Sequence, residues 1–132
     1  MSDVSRRSFL GGAAVGAAAG TMILGTSKTG WAQANEKVRV AVLGVRGRGR
    51  DHLGGWQGLQ NVEVVTICDI DENLFEGTLK KFFDEKNLPR PKVETDMRKV
   101  FEDPNVDAVS IAIPNHWHSL AAIWAIQAGK DV

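Results

Sequence analysis

Two short stretches carry the groups that could do chemistry. The first is Gly44-Val45-Arg46-Gly47-Arg48-Gly49, set between a β-branched run and a helical stretch. Glycine at such a turn lets the backbone bend tightly and approach a ligand. The free N–H groups and dipole of the following helix favour an anion such as a pyrophosphate. Against the pattern G-x-G-x-x-G, Gly44 and Gly49 fit, Arg46 replaces the middle glycine, and Gly47 follows one position later. Glycine-rich strand ends are common, so the turn gains weight only from its context. That context is Asp69, twenty residues beyond Gly49 at the end of a second β-rich run. A carboxylate there can accept hydrogen bonds from the hydroxyls of an adenosine ribose. Asp69 also reads as a solvated loop acid, and Arg46, Arg48 and Arg50 as a surface cluster of which one or two would contact a pyrophosphate. Asp69 and Asp71 flank Ile70 with no basic residue adjacent. This arrangement disfavours a 2′-phosphate and favours NAD over NADP.

The second stretch is Ile113-Pro114-Asn115-His116-Trp117-His118. Pro114 fixes a turn, Asn115 can cap the following helix, and His116 and His118 bring titratable nitrogens. A zinc site is a weak reading, because His-x-His here has no cysteine and no defined third ligand. No metal is expected. The plainest alternative is a helix N-terminus packed by Trp117.

The elements that would position these stretches alternate between strand and helix. Val38–Leu43 and Val62–Cys68 read as strands, a short strand falls around Val93–Thr95, and Val106–Ile113 forms a fourth. Helices are expected over 48–59, from Asp71 through Phe83, over Asp96–Glu102, and over Ser119–Ala128. In the second of these, Leu74, Phe75, Leu79, Phe82 and Phe83 share one face. Asp71 would cap it, and Gly129 would close the last helix. Asp131-Val132 looks like the start of a fifth strand. The order predicts an α/β fold, a Rossmann-type doubly wound parallel sheet incomplete at its C-terminal end. In the common strand order, the first and fourth strands are neighbours at the switch point. That brings 113–118 beside the glycine turn, toward the nicotinamide half of a dinucleotide.

The first thirty-four residues differ from the rest. Arg6-Arg7 is followed by Phe9-Leu10, and Ser8–Ser27 is uncharged and rich in Gly and Ala. Ala32-Gln33-Ala34 then offers a cleavage site. Together these resemble a twin-arginine (Tat) signal, which predicts export to the periplasm or cell surface. An uncleaved or lipid-anchored form is the alternative, and a membrane contact is expected only through this segment. Within 132 residues, 43% are hydrophobic and 24% charged, a composition that excludes a disordered or fibrous chain. Beyond residue 34, thirteen basic residues stand against fifteen acidic ones, a formal charge of −2. Nucleic acid is therefore not an expected partner. The single cysteine, Cys68, excludes an intrachain disulfide.

Asp107–His118, followed by Ala128-Gly129-Lys130-Asp131-Val132, resembles the N-terminal domain of the Gfo/Idh/MocA oxidoreductases. The likeness runs over residues 37–132. The glycine turn is similar to the family's Gly-x-Gly-Gly-Arg-Gly, with Arg46 as the departure. The resemblance implies Asn115 and His118 on the nicotinamide side, Asp69 on the ribose, and the remaining turn residues with Pro114 and His116 around the cofactor. It also implies residues 1–34 as signal, 35–132 as a truncated dinucleotide-binding domain, and an absent C-terminal substrate domain. No catalytic residue is expected here, because the family's lysine lies in a Glu-Lys-Pro segment after Gly-Lys-Asp-Val. The activity implied is hydride transfer between a sugar or polyol carbon and nicotinamide. The alternatives are an NAD-dependent glycosidase of the same superfamily and a non-catalytic nucleotide-binding remnant. A sugar-type ligand is expected only with the second domain, and homo-oligomerisation stays open.

Overall fold

The computed structural model describes residues 37–132. The signal segment and the proposed cleavage site lie outside the described residues. Four parallel strands form one sheet in the order β3-β2-β1-β4, with β1 at Val38–Leu43, β2 at Val62–Cys68, β3 at Lys92–Glu94 and β4 at Ala108–Ile111. Between them run α1 (Arg48–Gln57), α2 (Asn73–Phe82) and α3 (Met97–Glu102), and α4 (Asn115–Gln127) follows β4. A single 3-10 turn over Asp84–Lys86 follows α2.

The period-2 side-chain alternation of β1 divides the core. Val40 and Val42 pack on one face with Leu53 of α1 and with Phe75, Leu79 and Phe82 of α2. Ala41 and Leu43 pack on the other with Val100 and Phe101 of α3 and Ala121 and Ala125 of α4. Helices on both faces of a parallel sheet make the doubly wound Rossmann arrangement. Val40 pairs with Val64 but Ala41 with Thr66, so Val65 is an extra residue in β2. This bulge is why Val64 and Ile67, three apart, share the α1–α2 face.

The first two strands match the sequence expectation, and β4 is shorter than expected. Outside it, Asp131 makes a parallel bridge to Ala108, where a fifth strand was expected. The fourth helix starts earlier, at Asn115 rather than Ser119. Pro114 takes the N-cap position with φ −57° and ψ 142°, and its carbonyl accepts the Trp117 N–H. Asn115 is thus the first helical residue and caps nothing, contrary to expectation. Asp71 lies just ahead of α2, where its Oδ1 accepts the Asn73 N–H at 3.2 Å. Gly129, at φ +77°, ends α4 as expected. Ala121 and Ala125 are buried against the sheet and Trp124 packs half-buried beside them, while Ile123 and Ile126 are exposed.

Candidate functional site

The β1–α1 turn is built around two glycines that no other residue could replace without strain. Gly44 has φ +84°, and a Cβ on it would lie 2.7 Å from the Ala112 carbonyl oxygen. A Cβ on Gly49 would lie 1.8 Å from the Gly44 oxygen, so the turn closes on itself only because residue 49 is bare. Gly47 differs. Its φ of 47° and ψ of −113° belong to glycine, yet a Cβ there would meet nothing within 4 Å. The backbone at 47 therefore faces open space. Among the described residues no partner is found for the N–H groups of Gly47 and Arg48, at the start of α1.

Arg46 needs no glycine in its place, because its φ is not positive. Its guanidinium instead pairs with Asp71 Oδ2 at 2.7 Å. Arg48 pairs with Asp51 at 3.2 Å. The absence of a basic neighbour beside Asp69 and Asp71 thus holds in sequence and fails in space, since the turn supplies Arg46 from 25 residues away.

Asp69 caps the end of β2 and reaches back to the turn. Its Oδ2 accepts the Val45 N–H at 2.9 Å and its Oδ1 the Asp71 N–H at 3.0 Å. The solvated loop acid is excluded as a full description of it. The neighbouring Cys68 thiol is buried, and burial together with the Glu94, Asp69 and Asp96 carboxylates pushes it up to about 12.

These groups line one cleft of about 1210 Å³ at the carboxyl ends of the strands. Gly44, Arg46 and Gly47 form one wall, and Asp69 and Asp71 a second. Pro114, His116 and Trp117 form a third beyond β4, as the adjacency of β1 and β4 requires. Gly49, Arg48, Asn115 and His118 are not among the lining residues. Gly49 is buried beneath the turn. His118 turns away, its Nε2 2.6 Å from the Ile113 carbonyl oxygen, and so braces the bend between β4 and α4.

A fourth wall, Thr95–Arg98, escaped the sequence reading. Asp96 accepts from Arg98 through both side chain and backbone, and this holds its carboxyl at about 2. The signal lay in the strand order: β3 pairs with β2, so its carboxyl end must open onto the same rim. Among the described residues there is no group of three or more His, Cys, Asp or Glu placed to hold a metal. No described helix is long and apolar enough to cross a membrane.

An exposed amide edge at the start of a helix, beside acids and an apolar pocket larger than the usual 300–1,000 Å³ or so of ligand sites, suits an extended anionic ligand. The residues present therefore fit a dinucleotide. Comparison with known proteins agrees. A family model described as an oxidoreductase family with an NAD-binding Rossmann fold matches residues 38–132. A twin-arginine translocation signal sequence matches residues 3–22. An alpha-N-acetylgalactosaminidase of Tannerella forsythia is 35% identical over 70% of this chain and 20% of that protein. A myo-inositol 2-dehydrogenase of Lactobacillus plantarum superposes with a TM-score of 0.61 at 26% identity, covering 72% of this chain and 26% of that one. A scyllo-inositol dehydrogenase of Lactobacillus casei, solved with NAD(H) and scyllo-inositol, shares the fold with a TM-score of 0.62 at 18% identity over 72% of this chain and 26% of that one. The chain spans about a fifth of the length of the curated relatives it matches, and about a quarter of the solved ones.

Proposed function

The chain belongs to the Gfo/Idh/MocA oxidoreductase family, in its NAD-binding Rossmann part, and on that premise we propose that it is the NAD-binding portion of an exported enzyme acting on a sugar or polyol. The observation that carries this reading is the meeting of the bare Gly47 backbone, Asp69 and the Pro114–Trp117 bend in one cleft. In this reading Gly44, Gly47 and Gly49 shape the phosphate turn, and Arg46 and Arg48 add positive charge beside it. Asp69 keeps a lone pair on each oxygen free to accept ribose hydroxyls. Pro114, Asn115, His116 and His118 shape the nicotinamide end, His118 by bracing the bend from behind. The cofactor supplies hydride transfer when bound, and the chain's own residues bind and orient it.

The signal sequence supports export to the periplasm or cell surface, and cleavage after Ala32-Gln33-Ala34 would remove residues 1–34 and retain 35–132. The substrate side of the site is assigned to residues outside this chain, consistent with the greater length of the relatives. Calorimetric titration of the purified protein with NAD⁺ should give one saturating site. A folded protein that gives no heat up to millimolar NAD⁺ contradicts the reading.

A second reading has its own support in the 35% identity to an alpha-N-acetylgalactosaminidase. An NAD-dependent glycosidase oxidises its sugar transiently and regenerates the cofactor, so no NADH accumulates. Assay of the natural full-length protein separates the two. Net NADH from polyols favours the dehydrogenase, and glycoside cleavage without net NADH favours the glycosidase.

A further inference from the structure

Side chains on two turns of α1 fix where that helix lies. Near its C-terminal end, Gln57 donates to the Phe82 carbonyl at 2.8 Å and accepts from Lys86. One turn in from its start, His52 Nδ1 lies 2.9 Å from Ser110 Oγ in the middle of β4. Among the described residues this is the hydrogen bond that joins α1 to β4. Ser110 interrupts an otherwise apolar strand and is 9% exposed. A hydroxyl buried to that degree costs stability unless it is paired, and its partner is a half-buried histidine 58 residues away. Asp51, the next residue along the helix, pairs with Arg48 instead, so it does not join His52 and Ser110 in a proton relay.

Resting on the cofactor site proposed above, we propose that His52 and Ser110 are positioning residues, whose hydrogen bond holds the start of α1 at the spacing from the Pro114–Trp117 bend that a dinucleotide must span. The two ends of the site are braced differently. The glycine turn is tied to β2 by the Gly44 N–H on the Cys68 carbonyl at 2.7 Å and by the Val45 N–H on Asp69. A nucleoside diphosphate held by the turn and Asp69 therefore needs nothing from β4. The bend belongs to β4, and Ser110 stands three residues before Ile113. The backbone ladder between β1 and β4 ends with the Ala112 N–H on the Leu43 carbonyl, before either α1 or the bend begins. Apolar packing of Leu53 holds α1 on the sheet without fixing its direction, whereas a hydrogen bond is directional. Without the His52–Ser110 bond α1 samples more tilts against β4. Affinity for a ligand that needs one of them falls with the population of that one.

The test is calorimetric titration of the wild type, Ser110→Ala, His52→Ala, the double variant and His52→Asn with NADH and with ADP, circular dichroism confirming each fold. Ser110→Ala and His52→Ala should each weaken NADH about fivefold, the size of one neutral hydrogen bond, and leave ADP within about twofold. The double variant should bind NADH no more weakly than either single one, because both remove the same bond. His52→Asn sets an amide where Nδ1 stands and should bring NADH back to within about twofold of wild type. Ser110→Ala and His52→Asn keep the test open if His52→Ala misfolds. Equal losses for NADH and ADP would make the pair merely structural. That result, additive losses in the double variant, or unchanged NADH affinity in folded variants overturns this inference alone. Failure of the folded wild type to bind either ligand removes the proposed function and the inference with it.

Discussion

The carboxylate of Asp69 accepts the backbone N–H of Val45 at 2.9 Å, tying the end of β2 to the glycine turn that follows β1. The other oxygen accepts the Asp71 N–H, so the acid is a brace as well as a ligand candidate. Replacement of one oxygen by an amide sets donor against donor. Asp69→Asn should lower stability by about 1–3 kcal/mol, the cost of an unmade hydrogen bond at a charged acceptor. Urea denaturation measures it. A loss of a few tenths would show that Asp69 does not hold the turn.

The three turn glycines should fail in a set order. Gly49→Ala drives a Cβ to 1.8 Å from the Gly44 oxygen, and Gly44→Ala combines φ +84° with a 2.7 Å approach to Ala112. Gly47→Ala meets no atom and carries backbone strain only, about 1–3 kcal/mol. Denaturation midpoints should therefore rank Gly47→Ala as the mildest. A Gly49→Ala protein as stable as wild type would contradict the turn geometry.

Acid should lower the stability of the domain below about pH 4. Asp107 is held below its ordinary 3.8 by the Arg39 side chain, which forks onto both oxygens and links the start of β1 to β4. Asp84 and Asp103 are lowered from 3.8 and Glu94 from 4.5, Asp84 by Arg90, Asp103 by the Asn105 N–H and Glu94 by the Thr95 and Asp96 N–H groups. A carboxylate with a lowered folded-state pKa binds protons more tightly unfolded. Its contribution is present above the unfolded pKa and is lost as pH falls through the folded one. Asp107→Asn should flatten the stability profile in that range, and an unaltered profile would count against the Arg39 fork.

The Cys68 thiol should resist alkylation. It is 5% exposed and pushed up to about 12, so almost no thiolate exists at pH 8. Iodoacetamide followed by mass spectrometry should show labelling only under denaturant. Rapid native labelling would place Cys68 in a more open cleft than described.

Much of this architecture was legible in the sequence. The β-branched runs of β1 and β2 end at Gly44 and Asp69, and the ends were read to the residue because those types stop a strand. The face of α2 followed from the spacing of Phe75, Leu79 and Phe82. The start of α4 was misjudged because Asn115 is a common cap, and Pro114, which fixes its own φ, took that place. The Arg46–Asp71 pair could not be read, since it depends on two strand ends meeting 25 residues apart. The turn of His118 toward the Ile113 carbonyl depends likewise on the local path of the bend. Spacing names the groups, and the strand order decides which of them meet.

Titration with NADH, read by tryptophan emission, tests the central claim most directly. Trp117 and Trp124 line the cleft, so reduced nicotinamide bound there should quench their emission and emit in turn, with one saturating site. NAD⁺ should reverse the signal by competition. Binding heat with undisturbed tryptophan emission would place the cofactor elsewhere, and neither heat nor quenching up to millimolar NADH would contradict the account.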